Sequence, residues 1–196
     1  MRAIAPFVGR VFLWLAVAFA LWYAAARPVS LAASWIGGKV AASLAPVSMA
    51  GVAYRDRQAL IAIEPGYETA RRHALATGMI LDVPVTPLTA TYSLPFFFAL
   101  MLASRPRAKA WKIAVGLAVL LLLAGIGVGF DALKSLASLA APSGSPLFEF
   151  SQAKREAIAL GYQLGALIVP SVLPLAMWVA LNGLPAQVAK EQRAPP

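Results

Sequence analysis

The stretch Ile113–Phe130, IAVGLAVLLLLAGIGVGF, runs without Asp, Glu, Lys, Arg or His and decides the class of fold. A helix of about 17–25 apolar residues crosses the roughly 30 Å hydrocarbon core of a bilayer. Val11–Ala26, Val83–Ser104 and Ala157–Leu181 are likewise free of charge, and clusters of Lys and Arg separate the four stretches. The medium that surrounds most of this chain is therefore lipid.

Composition agrees. Hydrophobic residues make up 60% of the 196 and charged residues 13%, against about 45–50% and about 25% in soluble domains. The net charge of +9 would fit nucleic acid only if it formed a basic face on a soluble domain. Here the basic residues sit at the ends of apolar segments, so flanking of a membrane explains them. The chain has no cysteine, which removes disulfides, thiolate metal sites and thiol nucleophiles together.

Upstream, Val11–Ala26 follows Arg2 and Arg10 and ends at Arg27-Pro28. A basic start, an apolar centre and the small residues Ala24–Ala26 match a signal peptide. Trp14, Trp22 and Tyr23 make the run bulky, and an aromatic pair at its far end suits an interfacial belt. The expectation is an uncleaved first span. In Pro28–Tyr54, Ile36, Val40, Leu44 and Val47 share one face at helical spacing. Lys39 would be costly at a bilayer centre, so a helix lying on the membrane surface is expected there.

Period-two alternation then replaces helical spacing. Ala59, Ile61 and Ile63, and later Met79, Leu81, Val83 and Val85, alternate with other residues and read as strands. Arg55–Gln58 and Pro65-Gly66 are turns, and Tyr67–Ala76 is a charged connection or short helix. At least two paired strands are expected within Gly51–Thr86. Open sheet edges are not tolerated in lipid, so this region forms an extramembrane cap that includes Val83–Pro87. The second span is then about Leu88–Ala103, kinked at Pro95.

Downstream, Ser104–Lys112 holds Arg105, Arg107, Lys109 and Lys112 with no acid. The third span ends at Phe130, Pro142–Pro146 is a loop, and Ser151 is a candidate N-cap. The fourth span, Ala157–Leu181, carries Pro170 and Pro174 and closes at Asn182-Gly183, before a polar tail from Val188. With four spans, both termini and Ser104–Lys112 share a side. Arg2, Arg10, Arg105, Arg107, Lys109, Lys112, Lys190 and Arg193 concentrate there in short segments, which carry the positive-inside bias. Both termini are expected in the cytoplasm, with 27–87 and 131–156 outside.

The predicted fold is thus a mainly α membrane protein of one domain. Its four transmembrane helices, near 11–26, 88–103, 113–130 and 157–181, carry a small extracytoplasmic α+β cap between spans one and two.

Gly125 and Gly129, and Gly161 and Gly165, each stand four apart, a spacing that lets helices approach closely. Both strips fall near the outer ends of spans three and four, so they are expected to pack together or to offer a docking surface to a partner. Asp131, Lys134, Tyr162 and Gln163 gather at the same level. Asp131 and Lys134 are spaced to pair on one helix, and the cluster either caps helix ends or holds a polar ligand. His73, the only histidine, lies beside Arg71 and Arg72 and has no second His or Cys with which to hold zinc. Glu64 and Asp82 would act as an acid–base pair only if the strands joined them. No catalytic serine, phosphate-loop or dinucleotide motif is present. No metal or cofactor is expected.

The order of parts resembles the exosortase H-associated membrane proteins. The residues that carry it are Phe12–Leu15 with Phe19–Tyr23, Tyr92–Pro95, Phe130–Lys134, and Ala159–Gly165 with Pro170 and Pro174. The resemblance implies a protein of the bacterial inner membrane in a sorting system. It implies an accessory role and not the transpeptidase, whose cysteine nucleophile this chain lacks. The expected function is a non-enzymatic accessory or assembly subunit. It would dock on another integral membrane protein, an exosortase-type enzyme or its substrate, with lipid around it and no nucleic acid partner. The alternative is a small transporter or ligand-binding membrane protein that uses the outer polar cluster. An intramembrane enzyme is the third reading.

Overall fold

A computed structural model describes residues 4–55, 58–73, 75, 78–104, 110–139 and 146–182. Arg2, Arg105, Arg107, Lys109, Lys190 and Arg193, the turn residues Asp56 and Arg57, Pro142–Ser145, Gly183 and the Val188–Pro196 tail lie outside these.

Helix α1 (Ile4–Ala24) passes into α2 (Ala26–Leu44) through a 72° bend. Pro28 supplies the cause. It has no N–H to give the Ala24 carbonyl, and its ring would clash with that carbonyl in a straight helix. The apolar run thus breaks where Arg27-Pro28 was expected to end the first span, but the chain stays helical beyond it.

The helix α2 departs from expectation. It does not lie as a lone surface helix: Ala33, Gly37 and Ala41 are buried, and it packs closely along α6 (Ala110–Ala137). Gly125 of α6 stands over Ala33 O and Ile36, and Gly129 over Gly37 O and Val40. The two helices therefore run in the same direction. Continuing that register sets Lys39 level with Asp131, toward the end of α6. Lys39 is exposed, and its Nζ lies 5.6 Å from the centre of the Trp35 ring. Val47, expected on the helix face, instead opens a strand after Pro46.

That strand, β1 (Val47–Arg55), pairs antiparallel with β2 (Gln58–Pro65), which pairs antiparallel with β3 (Leu81–Val85). The helix α3 (Tyr67–Arg72) links β2 to β3. Alternation decides the faces. Ala59, Ile61, Ile63, Val83 and Val85 are buried, and they join a core with Ala41, Val128, Ala132, Leu133 and Leu136 from the ends of α2 and α6.

The helix α4 (Pro87–Thr91) and α5 (Ser93–Ala103) follow, broken at Tyr92. The break falls upstream of Pro95 because a proline displaces the carbonyl four residues back, here that of Thr91. Phe97 and Met101 of α5 form a second core with Leu120 of α6.

The last helix is continuous over Gln152–Asn182. It comprises α7 (Gln152–Gln163), a π-helical turn at Leu164–Ile168 and α8 (Val169–Asn182). Ser151 caps α7 by accepting from Lys154 N. At the π turn, Val169 N–H reaches back five residues to Leu164 O. The wider turn sits just before Pro170, which has no N–H to contribute.

The protein is mostly helical with one small antiparallel sheet. Both α6 and Gln152–Asn182 are long and apolar enough to cross a membrane, and α1–α2 makes a third candidate if taken as one span. Pro87–Ala103 is shorter, about 25 Å at 1.5 Å per residue. Four comparable spans were expected, and the described residues contain two to three candidates.

Candidate functional site

The two ends of the bundle are held by different chemistry. At one end Lys112 Nζ donates to Leu181 O at 2.7 Å, Trp178 Nε1 donates to Ser104 Oγ at 2.6 Å, and Asn182 Nδ2 bonds to Trp178 O. These contacts tie the start of α6 to the end of α8 and the end of α5. At the other end the sheet meets α6.

There Asp131, in the last two turns of α6, accepts from Thr86 N at 3.1 Å and from Thr86 Oγ1 at 3.3 Å. Thr86 stands between β3 and Pro87, the first residue of α4. One carboxylate therefore fastens the exit from the sheet to α6. Lys134 does not pair with Asp131. Its Nζ lies 3.8 Å from the centre of the Tyr162 ring, a cation–π contact between α6 and α7. Gln163, the next residue, is exposed. The expected cluster is therefore divided between two contacts, because Thr86 supplies both donors to Asp131 and the Tyr162 ring attracts Lys134.

A cleft of about 10 Å³ lies between α4, α6 and the π turn, walled by Thr86, Asp131, Tyr162 and Gly165 among others. That volume holds about one water molecule.

The glycine strips pair differently from expectation. Gly125 and Gly129 face α2, not the last helix. The last helix instead meets α6 through Gly165 against Gly127, with a Cβ on Gly165 falling 2.6 Å from Gly127 Cα, and through Gly161 against the Phe130 ring. The glycines of α6 thus serve two neighbours on two faces. Successive odd positions 125, 127 and 129 point about 200° apart on a helix of 3.6 residues per turn. Spacing by four marks the α2 face of α6 but not its partner, and it does not mark Gly127, which pairs with one glycine and forms no strip of its own.

Sheet register makes Glu64 and Asp82 diagonal neighbours on the exposed face, since Asp82 pairs with Ala62. Such positions stand roughly 7–8 Å apart. His73 ends α3 half-buried. Among the described residues, no three His, Cys, Asp or Glu side chains converge as metal ligands would. A larger apolar groove of about 380 Å³ opens between α1, α5 and α6, with Leu21, Trp22, Leu94, Phe98 and Leu121 on its walls.

Against this geometry, residues 1–183 match the exosortase H-associated membrane proteins. The chain belongs to that family. The match covers every described element, including the sheet and both glycine contacts. No curated protein and no solved structure matches the chain. Membership makes this a membrane protein of an exosortase-associated family, and its candidate spans agree.

Proposed function

We propose that the chain is a non-catalytic accessory subunit of an exosortase-type sorting system, acting by docking on another integral membrane protein. The family match over residues 1–183 carries this reading. The polar residues support it, because Asp131 and Lys134 are engaged in contacts that hold the fold together. The cleft beside them has room for about one water, so the ligand-binding or transport alternative has less support than docking.

The arrangement that goes with this reading has four crossings in a bacterial inner membrane: α1–α2 as one bent crossing, α4–α5, α6 and Gln152–Asn182. The sheet lies outside, and both termini and Ser104–Lys112 are cytoplasmic. Two observations favour it: the end contacts that group Ser104, Lys112 and Leu181, and the basic residues of Ser104–Lys112.

Complementation of a deletion strain tests the reading. His73→Ala, Glu64→Ala and Asp82→Ala should each retain sorting. If one of them abolishes sorting while folding and partner association persist, the chain is an enzyme.

A further inference from the structure

The three-stranded sheet has two edges, and they are built differently. At one edge β3 has five residues and carries exposed Asp82 and exposed Pro84. A charge and a proline on a short strand are the usual means of keeping an edge from pairing with another chain. At the other edge β1 has nine residues, VSMAGVAYR, with no proline and no charge before Arg55. Ser48, Ala50 and Ala53 are exposed and small.

Nothing covers this second edge among the described elements. The neighbours of β1 are β2, which takes its other side, and α2, which lies under its buried face. Among the described residues no further backbone hydrogen bond reaches Ser48–Arg55. An unpaired edge presents alternating N–H and C=O groups that another extended chain can satisfy. Small side chains let that chain approach closely.

We propose that the free edge of β1 is a docking strip for an extended segment of another polypeptide, which adds to the sheet as a fourth strand. A second copy of this chain fits less well. The register of β1 shifts between Met49 and Gly51, leaving Ala50 without a partner on β2. β1 itself carries no acidic residue, so the same strand of a second copy would offer no partner to Arg55. Arg55 is exposed and pairs with no described carboxylate, so an acidic residue at that end of the segment completes the match. This inference deepens the docking reading and rests on it, by giving the contact a place and a chemistry.

A photo-crosslinking amino acid placed singly at Ser48 and Ala53 of the full chain, in native membranes, tests it. Parallel probes at the lipid-facing positions Leu122 and Leu167 serve as comparison. The expected result is an adduct from both β1 positions to one and the same polypeptide, mapped to a single short segment of it. Ala50→Pro removes a backbone N–H at the bulge, where Ala50 has no partner residue on β2. It should weaken those adducts about tenfold, the worth of one lost backbone hydrogen bond at a docked edge. Hydrogen exchange of β2 and β3 should stay unchanged, showing that the sheet survives.

Adducts from Leu122 or Leu167 with none from β1 would overturn the edge proposal and leave the docking reading standing. Adducts from no position would overturn both. Adducts from β1 to a second copy, or adducts indifferent to Ala50→Pro in a folded sheet, would overturn the extended-segment proposal.

Discussion

Gly127 and Gly165 meet backbone to backbone, with a Cβ on Gly165 standing 2.6 Å from the Cα of Gly127. A real Cβ does not tolerate that distance, and the opposing atom is main chain, which cannot swing aside. Gly165→Ala should therefore push the last helix off α6 and cost about 1–3 kcal/mol, as overpacking of a close contact does. Gly129→Ala meets Val40 Cβ at 2.8 Å and Gly37 O at 3.0 Å, so it should loosen α2 instead. Hydrogen exchange separates the two: Gly165→Ala exposes amides of α7–α8, and Gly129→Ala exposes those of α2. The opposite assignment would refute the packing described.

The bend at Ala25 should depend on Pro28. Pro28→Ala restores an N–H able to reach the Ala24 carbonyl and removes the ring clash. The chain has no native cysteine, so spin labels at Leu13 and Ser43 report the angle without interference. Straightening should lengthen the distance between them; an unchanged distance would mean that packing of α1 on α5 sets the bend.

The carboxylate of Asp131 takes two donors from Thr86. Asp131→Ala should lower stability by about 1–3 kcal/mol, because both donors lose their acceptor. Asp131→Asn keeps one acceptor oxygen and should cost less. The effect should appear first as faster exchange in β3 and α4. A uniform loss across α5 and α8 would contradict a local role for this contact.

Much of the fold was legible because local chemistry and global packing agree in it. Alternation around Ile61 and Val83 specified a sheet, Ser151 announced the cap of α7, and runs without charge marked the long helices. The helix α2 was harder to read. Its buried face is built from Ala33, Gly37 and Ala41, which are too small to register as hydrophobic periodicity, and Lys39 pointed to a surface setting. Only the register with α6 shows that Lys39 lies near a helix end. The pairing within the polar cluster was not legible, since Asp131 finds Thr86, 45 positions away in sequence. No spacing rule reaches across that distance.

The proposed topology puts the two bundle ends in opposite compartments. Lys112 with Leu181, and Trp178 with Ser104, mark one end, while Thr86 with Asp131 marks the other. Reporter fusions at Ala108 and at Thr69 should report opposite compartments, with Ala108 cytoplasmic. The same compartment for both would overturn the four-crossing arrangement.

Stoichiometry separates an accessory subunit from an enzyme most directly. In proteoliposomes holding exosortase H and a sorted substrate at fixed amounts, the purified chain would be titrated and the sorting rate followed. An accessory subunit raises the rate in proportion to its amount and saturates at a fixed molar ratio to exosortase H, whatever the substrate concentration. A full effect from a small fraction of that ratio, with substrate turned over many times per molecule of this chain, would contradict the account.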